Sequence, residues 1–496
     1  DYKGIYLLEL NGRYDGSSRF PAGDKWAFFP SGSIGYRFSQ EAYWDKLRET
    51  VSNGKLRFSY GEIGNENVGS SWPYIATIGT ISASYVGWLN GSNTKVNEFD
   101  LPEWVSSSLT WERIKTIDIG LDLGLLNDMV TVGFDWYQRT TNDMIAPGKA
   151  LPPSVGASTP TTNSGSLRTR GWELTINWRK QFTNDLGLYA NFSIGDSKSV
   201  VTKWDNDQNI GHPLSTAYAY AGQVWGDIWG FETDRYFTEA DFTGKNADGS
   251  WIYAPGVADQ TGIQTQTFVY GPGDIKFKDL DGSGVIDGGK GTVDDHGDLK
   301  VIGNCLPRYE YSFHIGGTYK GFDLDLFFLG VGKRDMWTQS SFVFPEMREA
   351  DLAIYANQTS YNIYEPEKGI VNISESNAFP CLYPGNEYAG NVTGLAGEGG
   401  CHNYYPQTKY LVDMSYLRLK NVTLGYTLPV ELTKKAFVQK LRFYVSCNNL
   451  FLLHKGSGDL PIDPEMNAGQ GALGYGTWGR TYPTTKSWSF GLQVTF

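Results

Sequence analysis

Three things are scarce in this chain: cysteine, charged side chains and long apolar runs. Only 4 of the 496 residues are cysteine, which excludes a scaffold built on disulfides and an array of zinc sites. No run approaches the roughly 18 apolar residues that a spanning helix needs, which excludes a helical membrane protein. Charged residues make up 19%, and the net charge of -12 disfavours nucleic acid as a partner, because phosphates attract clustered Lys and Arg.

Aromatic residues and glycine are abundant instead. Aromatics make up 15% of the chain and glycine contributes 60 residues, whereas disordered chains are poor in aromatics. The chain begins at Asp1 and shows no signal-peptide pattern, so we expect a processed chain or a fragment. The composition favours a large β-rich protein with many polar turns.

Alternation of apolar and polar residues dominates the sequence. It is clearest at 117–125 and 130–136, which are separated by the turn residues Asn127 and Asp128. Similar pairs of segments occur at 172–194 and 309–328, and each pair is typical of a β-hairpin. A soluble antiparallel sheet shows this alternation with its apolar face inward, and a membrane β-barrel shows it with that face outward.

The lengths of the connections distinguish these alternatives. Short connections are predicted near 126–128, 180–185, 320–321 and 429–436, and long ones at 140–167, 196–306, 332–410 and 451–484. Short and long connections alternate, as they do in outer-membrane barrels with short periplasmic turns and long external loops. The pattern therefore favours a transmembrane antiparallel β-barrel.

The strand count adds a constraint. Thirteen strands are predicted, at 3–14, 26–38, 54–63, 74–86, 113–125, 129–140, 170–180, 186–196, 308–319, 322–331, 414–428, 438–450 and 486–496. An odd number cannot close an ordinary antiparallel barrel of one bacterial chain, so we expect further strands outside this sequence. The last strand ends on Phe496, which resembles the assembly signal of bacterial outer-membrane barrels.

Several short motifs resemble those of one family over nearly the whole chain. They lie at 12–20, 26–31, 56–61, 111–122, 171–174, 273–279, 302–309, 416–421 and 448–451. In this order they resemble the carboxy-terminal half of SusC/RagA-family TonB-dependent outer-membrane transporters of Bacteroidota. The resemblance implies a barrel of 22 strands, of which this chain would supply about 13. The amino-terminal plug and the segment that contacts TonB would lie outside the sequence.

The resemblance also implies a function and partners. Family members import nutrients across the outer membrane together with a SusD-like surface lipoprotein, and the TonB complex acts on the plug. Oligosaccharides from glycans are the expected cargo, with peptides as the alternative. The loops at 196–306 and 332–410 are the expected contact surface for the lipoprotein. A passive porin is the rival interpretation, and no catalytic residues are expected.

A calcium-type loop lies in one predicted external loop. Ligand positions 1, 3, 5, 7 and 9 would be occupied by Asp279, Asp281, Ser283, Val285 (through its carbonyl oxygen) and Asp287. The sequence therefore predicts a possible Ca²⁺ site that orders the loop.

The twelfth position of this loop departs from the pattern. It is Lys290 rather than the usual bidentate glutamate, although Asp294, Asp295 or Asp298 could compensate. The alternative is an acidic turn that holds no metal.

Aromatic residues of the long loops are candidates for stacking on sugar rings. The candidates are Trp225, Trp229, Tyr383, Tyr404 and Tyr405. Packing of one loop against another is the alternative role.

Two further expectations concern polar side chains. Cys381 and Cys401 share a long loop in a cell-surface context and could form a disulfide. If lipid takes the apolar face of the strands, the acidic residues on the other face point into the lumen. They are Asp118, Asp122, Asp135, Glu173, Asp323 and Asp325. Such a wall would suit neutral polyhydroxyl solutes or would hydrate the interface with a plug.

Overall fold

The computed structural model contains one twelve-stranded antiparallel sheet and six two-stranded ribbons. It describes residues 1–69, 72–81, 98–149, 151–155, 159–205, 209–210, 219–247, 249–264, 268–337, 343, 345, 356–382, 402–465 and 484–496. The large sheet follows chain order, so each strand pairs with the strands before and after it in sequence.

The strands of the large sheet are named β1 to β12. They are β1 (Tyr6–Gly16), β2 (Trp26–Tyr36), β3 (Val51–Asn65), β4 (Glu112–Leu125), β5 (Val130–Pro147), β6 (Thr161–Gln181), β7 (Leu186–Lys203), β8 (Arg308–Tyr319), β9 (Phe322–Lys333), β10 (Tyr416–Thr427), β11 (Lys440–Lys455) and β12 (Ser487–Thr495). Each of the twelve matches one of the thirteen predicted segments, because the period-2 pattern identifies strands whose two faces meet different environments.

The thirteenth predicted strand, 74–86, is wrong as a member of this sheet. Ile78–Ile81 pairs instead with Glu98–Pro102 in a separate ribbon, and β3 pairs directly with β4. Residues 82–86 lie outside the described part of the chain. The sheet therefore has an even number of strands among the described residues, and the argument from an odd count no longer applies.

Several strands extend beyond their predicted ends into segments that were expected to be loops. β5 continues to Pro147 and β6 starts at Thr161, so most of the predicted 140–167 loop is strand. β7 and β11 also continue past their predicted ends, to Lys203 and Lys455 respectively. The apolar residues of these extensions, such as Ile145, Val201 and Leu452, do not alternate with polar residues over a sustained run, and that alternation is the pattern by which a strand is detected.

The chain divides into two compact units. The first comprises 1–175, 197–209 and 215–224, and the second 176–196, 210–214 and 225–496. A small apolar cluster of the first unit contains Phe20, Ala27, Phe29, Leu109 and Trp111. The second unit buries most of its large side chains between residues 228 and 299.

Short elements fill the connections. The remaining ribbons pair Asp227–Phe231 with Leu299–Asn304, Thr233–Tyr236 with Ile275–Phe277, Phe242–Lys245 with Trp251–Tyr253, Asp335–Met336 with Val412–Asp413, and Ile363–Glu365 with Ile370–Asn372. One α-helical turn, Val430–Thr433, is present. The 3₁₀ turns are Phe38–Gln40, Ala42–Leu47, Pro153–Val155, Glu239–Asp241, Thr261–Ile263, Ala356–Gln358, Pro366–Lys368, His402–Tyr404 and Lys434–Ala436.

Helices among the described residues are all too short and too polar to cross a bilayer.

Candidate functional site

One face of the sheet in the first unit exposes large apolar side chains. A single row across five strands consists of Leu8, Ile34, Phe58, Ile119 and Trp136, each directly opposite the next. All five are exposed, with Leu8 at 62%. Such a row is not expected on a surface that faces water, because soluble proteins rarely expose contiguous apolar patches of this size.

The second unit repeats the arrangement. Leu188, Leu324, Leu424 and Phe490 lie in one register row, and all four are exposed, with Phe490 at 83%. The apolar face of each unit thus has the character of a lipid-facing surface. This agrees with the predicted barrel, in which apolar side chains point outward.

The opposite face of the first unit carries a cluster of charges around Arg57. Its guanidinium group donates to both carboxylate oxygens of Asp122, at 2.8 and 2.9 Å, and lies 2.8 Å from Asp135 Oδ1. Asp118 Oδ1 is 4.0 Å away. Gly120 makes this approach possible, because a Cβ atom there would lie 2.5 Å from both Arg57 Cζ and Asp135 Oδ1.

The second unit contains two similar arrangements. Arg442 donates to both oxygens of Asp323, at 2.9 and 2.5 Å, across Gly425 of the strand between them. The Tyr189 hydroxyl group donates to Asp325 across a glycine of β8, and His314 Nε2 lies 2.7 Å from the same carboxylate. In each arrangement a glycine on the middle strand lets side chains two strands apart meet.

Five of the six acidic residues predicted to face the lumen have polar or charged partners in the structure. Asp118, Asp122 and Asp135 surround Arg57, Asp323 pairs with Arg442, and Asp325 binds tyrosine and histidine. Sequence reasoning missed the two arginines because each lies at least 61 residues from its partners, and only the strand register brings them together. Their place on the polar side of the alternation was the one available signal.

The predicted loops 196–306 and 332–410 fold together in their described parts. We call the described residues of 225–304, 356–382 and 402–413 the loop body. Its core is aromatic: Phe231, Tyr236, Phe237, Phe268, Tyr270 and Phe277 are each at most 1% exposed. The Phe231 ring stacks on Phe277 at 4.8 Å between centroids and contacts Tyr405 at 5.8 Å. Aromatic burial on this scale is a main source of stability for a segment with little regular structure.

Buried polar groups join the two predicted loops. Asn403 donates to Asp274 Oδ1 at 2.7 Å and accepts from the amide of Ile275 at 2.8 Å, and both polar residues are fully buried. The Phe231 amide donates to the carbonyl of Pro406 at 2.8 Å. These bonds satisfy groups that would otherwise be costly to bury, so they fix how the loops pack.

The candidate stacking residues have different environments. Tyr404 and Tyr405 are buried in the loop body, at 9% and 3% exposure, and burial raises the pKa of Tyr405. Their rings pack inside the protein and present no face to a solute in this structure. Trp225 and Trp229 are half-buried, and the Trp229 ring lies 5.4 Å from His296. Tyr383 lies outside the described residues.

Two other candidates stay predictions. Cys381 is buried in the loop body, and Cys401 lies outside the described residues, so their disulfide is untested. Phe496 follows β12 and is 80% exposed, and its role as an assembly signal is likewise untested.

The calcium-type loop brings three carboxylates together, and one of them was not among the five predicted ligands. Asp279, Asp281 and Asp298 place carboxylate oxygens within 4.8 Å of one another. Asp298 is fully buried, burial raises the pKa of its carboxyl group, and it accepts the amides of Leu280 at 2.6 Å and Asp287 at 3.0 Å.

The other residues of this loop support its shape. Asp279 accepts the amides of Gly282 and Gly284, and Ser283 donates to the Val285 carbonyl at 2.9 Å. Asp287 accepts the amide of Gly289 rather than joining the three carboxylates. An all-oxygen donor set of this kind fits a hard divalent cation such as Ca²⁺.

We expect this loop to bind Ca²⁺ with the affinity of extracellular modules, a Kd of about 10⁻⁴–10⁻³ M. Asp281→Asn should weaken binding about tenfold or more, because it removes one charge from the cluster. Calorimetric titration of the full-length protein measures this directly. Asp294→Asn is the matched control, since Asp294 is exposed and lies outside the cluster. No heat of binding in the parent protein would rule the site out.

Comparison with known proteins gives a consistent result. The model of a family described as TonB-dependent receptor-like, β-barrel, matches residues 2–450. A relative from Formosa agariphila, TonB-dependent receptor P3, is 28% identical over 515 residues, covering 100% of this chain and 44% of the relative. TonB-dependent receptor SusC of Bacteroides thetaiotaomicron is 26% identical, covering 99% of this chain and 42% of the relative.

Solved structures agree in fold. A structure described as the RagAB peptide transporter superposes with a TM-score of 0.68 at 20% identity, covering 99% of this chain and 46% of that chain. The same importer in its open-open state gives a TM-score of 0.66 at 19% identity, with 100% and 46% coverage. The chain thus spans less than half the length of these relatives and of the chains in these structures.

Proposed function

The chain belongs to the TonB-dependent receptor-like β-barrel family of the Gram-negative outer membrane, and we propose that the whole protein imports a nutrient through this barrel. The relatives above are receptors and transporters rather than enzymes, which agrees with the expectation that the protein is not an enzyme. In this proposal the twelve strands form part of the barrel wall, and a plug that engages TonB lies in the rest of the protein.

The observation that carries the proposal is the contrast between the two faces of the sheet. One face exposes apolar rows that suit lipid, and the other holds paired charges that suit a hydrated interior. A passive porin would share this contrast. The family match over residues 2–450 favours the TonB-dependent transporter over the porin.

The cargo that we propose is a glycan oligosaccharide. The inner face presents carboxylate and guanidinium groups that form hydrogen bonds, such as Asp323 with Arg442, and the three aspartates around Arg57 leave it acidic. Such a surface suits neutral polyhydroxyl solutes. Peptides are the second candidate, because the structurally similar RagAB protein is described as a peptide importer.

The partner that we propose is a SusD-like lipoprotein that closes over the loop body. The loop body is a packed structure with a buried aromatic core, so it offers a preformed surface rather than a set of separate loops. Preformed surfaces bind partners at a lower cost in conformational entropy.

An uptake experiment tests the cargo. We expect cells with the full-length transporter to take up fluorescently labelled oligosaccharides, and uptake to stop when TonB is removed. A matched panel of labelled peptides is the control for substrate class. Uptake of peptides alone would establish the second candidate, and uptake that persists without TonB would establish a porin.

A further inference from the structure

At one end of the strands in the second unit, the short connections combine exposed apolar side chains with lysines. There are three of these short connections, and with their flanking residues they span 179–186, 319–322 and 428–440. We call them the basic rim. Backbone hydrogen bonds connect its three parts. The Lys320 amide donates to the Asp185 carbonyl at 3.3 Å, and the amide of Thr427, which precedes the third part, donates to the Gly321 carbonyl at 2.7 Å.

The charge of the basic rim opposes that of the chain. Its basic residues are Arg179, Lys180, Lys320, Lys434, Lys435 and Lys440, and its acidic residues are Asp185 and Glu431. The rim is therefore net positive on a chain whose net charge is -12. The connection at 37–50 in the first unit gives a contrast, because three basic and three acidic residues balance there.

Apolar side chains accompany these charges at the surface. Phe182, Tyr319, Phe322, Leu432 and Phe437 are all exposed, and Phe437 reaches 90%. Its backbone is left-handed, with φ of 58°, a strained conformation for a residue other than glycine. Phe437 ends the 3₁₀ turn Lys434–Ala436 in this conformation, and its exposed ring is available for a contact beyond the chain.

Lysines and rings are paired side by side. Lys180 Nζ lies 5.2 Å from the centroid of the Phe182 ring, and Lys320 Nζ lies 5.4 Å from that of Tyr319. Such pairs suit a membrane interface, where a ring enters the boundary of the acyl chains and an ammonium group stays among the headgroups.

We propose that the basic rim binds the anionic headgroups of phospholipids in the leaflet that it meets. The lysines contact the phosphates, and Phe437 and its apolar neighbours insert beside them. The proposal rests on the location in the outer membrane and is independent of the cargo and of TonB.

Lipid binding to the purified full-length protein tests the proposal. In neutral detergent we expect fluorescent long-chain phosphatidylglycerol to bind more tightly than phosphatidylcholine. The triple variant Lys320→Gln, Lys434→Gln and Lys435→Gln should weaken phosphatidylglycerol binding about tenfold or more. Phe437→Ser should weaken binding of the long-chain lipid while leaving the preference for the anionic headgroup intact.

A matched triple variant controls for net charge. Lys46→Gln, Lys245→Gln and Lys368→Gln removes three exposed lysines outside the rim and should leave binding unchanged. Equal weakening by both triple variants would overturn the proposal, as would equal binding of the two lipids. Complete displacement of the lipid by inorganic phosphate at constant ionic strength would also overturn it, because the site would then recognise a free anion.

Discussion

Gly273→Ala should loosen the loop body while the twelve-stranded sheet stays folded. The Gly273 amide donates to the Phe237 carbonyl at 2.8 Å, and its own carbonyl accepts from Asn362 Nδ2 at 2.9 Å and from the Cys381 amide at 3.2 Å. This residue therefore joins the two predicted loops. Its φ of 93° is strained for any residue with a Cβ atom, and that atom would lie 2.5 Å from Cys381 Sγ.

The expected loss is about 2–5 kcal/mol of local stability. About 1–2 kcal/mol comes from the backbone conformation and about 1–3 kcal/mol from overpacking. Hydrogen exchange should show the protection of loop-body amides falling about a hundredfold, with the amides of β8 to β11 unchanged.

Gly256→Ala separates the two causes of this loss. Gly256 has a similar φ of 86°, but its Cβ position meets no atom within 4 Å. We expect this variant to lose only the backbone part, about 1–2 kcal/mol. If the two variants lost the same protection, the contact with Cys381 would contribute nothing.

Arg418→Ala should release the segment 456–465 from β10. The Arg418 side chain is 5% exposed, and its guanidinium group lies 2.5 Å from Asp463 Oδ1 and 3.1 Å from Glu465 Oε2. Removing it leaves the partly buried Asp463 carboxylate without its counter-charge, whereas Glu465 keeps Lys420 Nζ at 2.5 Å. Because loss of one partner of a buried pair is strongly destabilising, we expect a cost of about 3 kcal/mol.

Proteolysis of the segment measures this change. Cleavage within 456–465 should become about a hundredfold faster in Arg418→Ala than in the parent protein. Arg13→Ala is the control, because Arg13 also pairs with an aspartate at 2.5 Å but is 70% exposed. Exposed pairs contribute little, so this variant should be cleaved at the parent rate. Unchanged cleavage in Arg418→Ala would show that other contacts hold the segment.

Twelve of the thirteen predicted strands are confirmed, because the alternation that predicts a strand depends only on residues close together in the sequence. At 117–125 every second residue is apolar, and in the structure Ile119 is exposed on one face while Asp118 and Asp122 lie near Arg57 on the other. The prediction that segment 74–86 joins the large sheet was wrong, because the pairing partner of a strand is set by the tertiary structure. Its residues 78–81 do form a strand, but the partner is 98–102 rather than the large sheet.

The alternation of apolar and polar residues, the order of short and long connections and the family motifs could all be read from the sequence, because each depends on neighbouring residues. The tertiary structure alone decided which charges meet. Arg442 and Asp323 are 119 residues apart, and Asn403 and Asp274 are 129 apart. Strand register and loop packing set these contacts, and no local pattern encodes register between distant strands. The same reason explains why Asp298 rather than Asp294 or Asp295 joins the calcium-type loop, and why Tyr404 and Tyr405 are core residues.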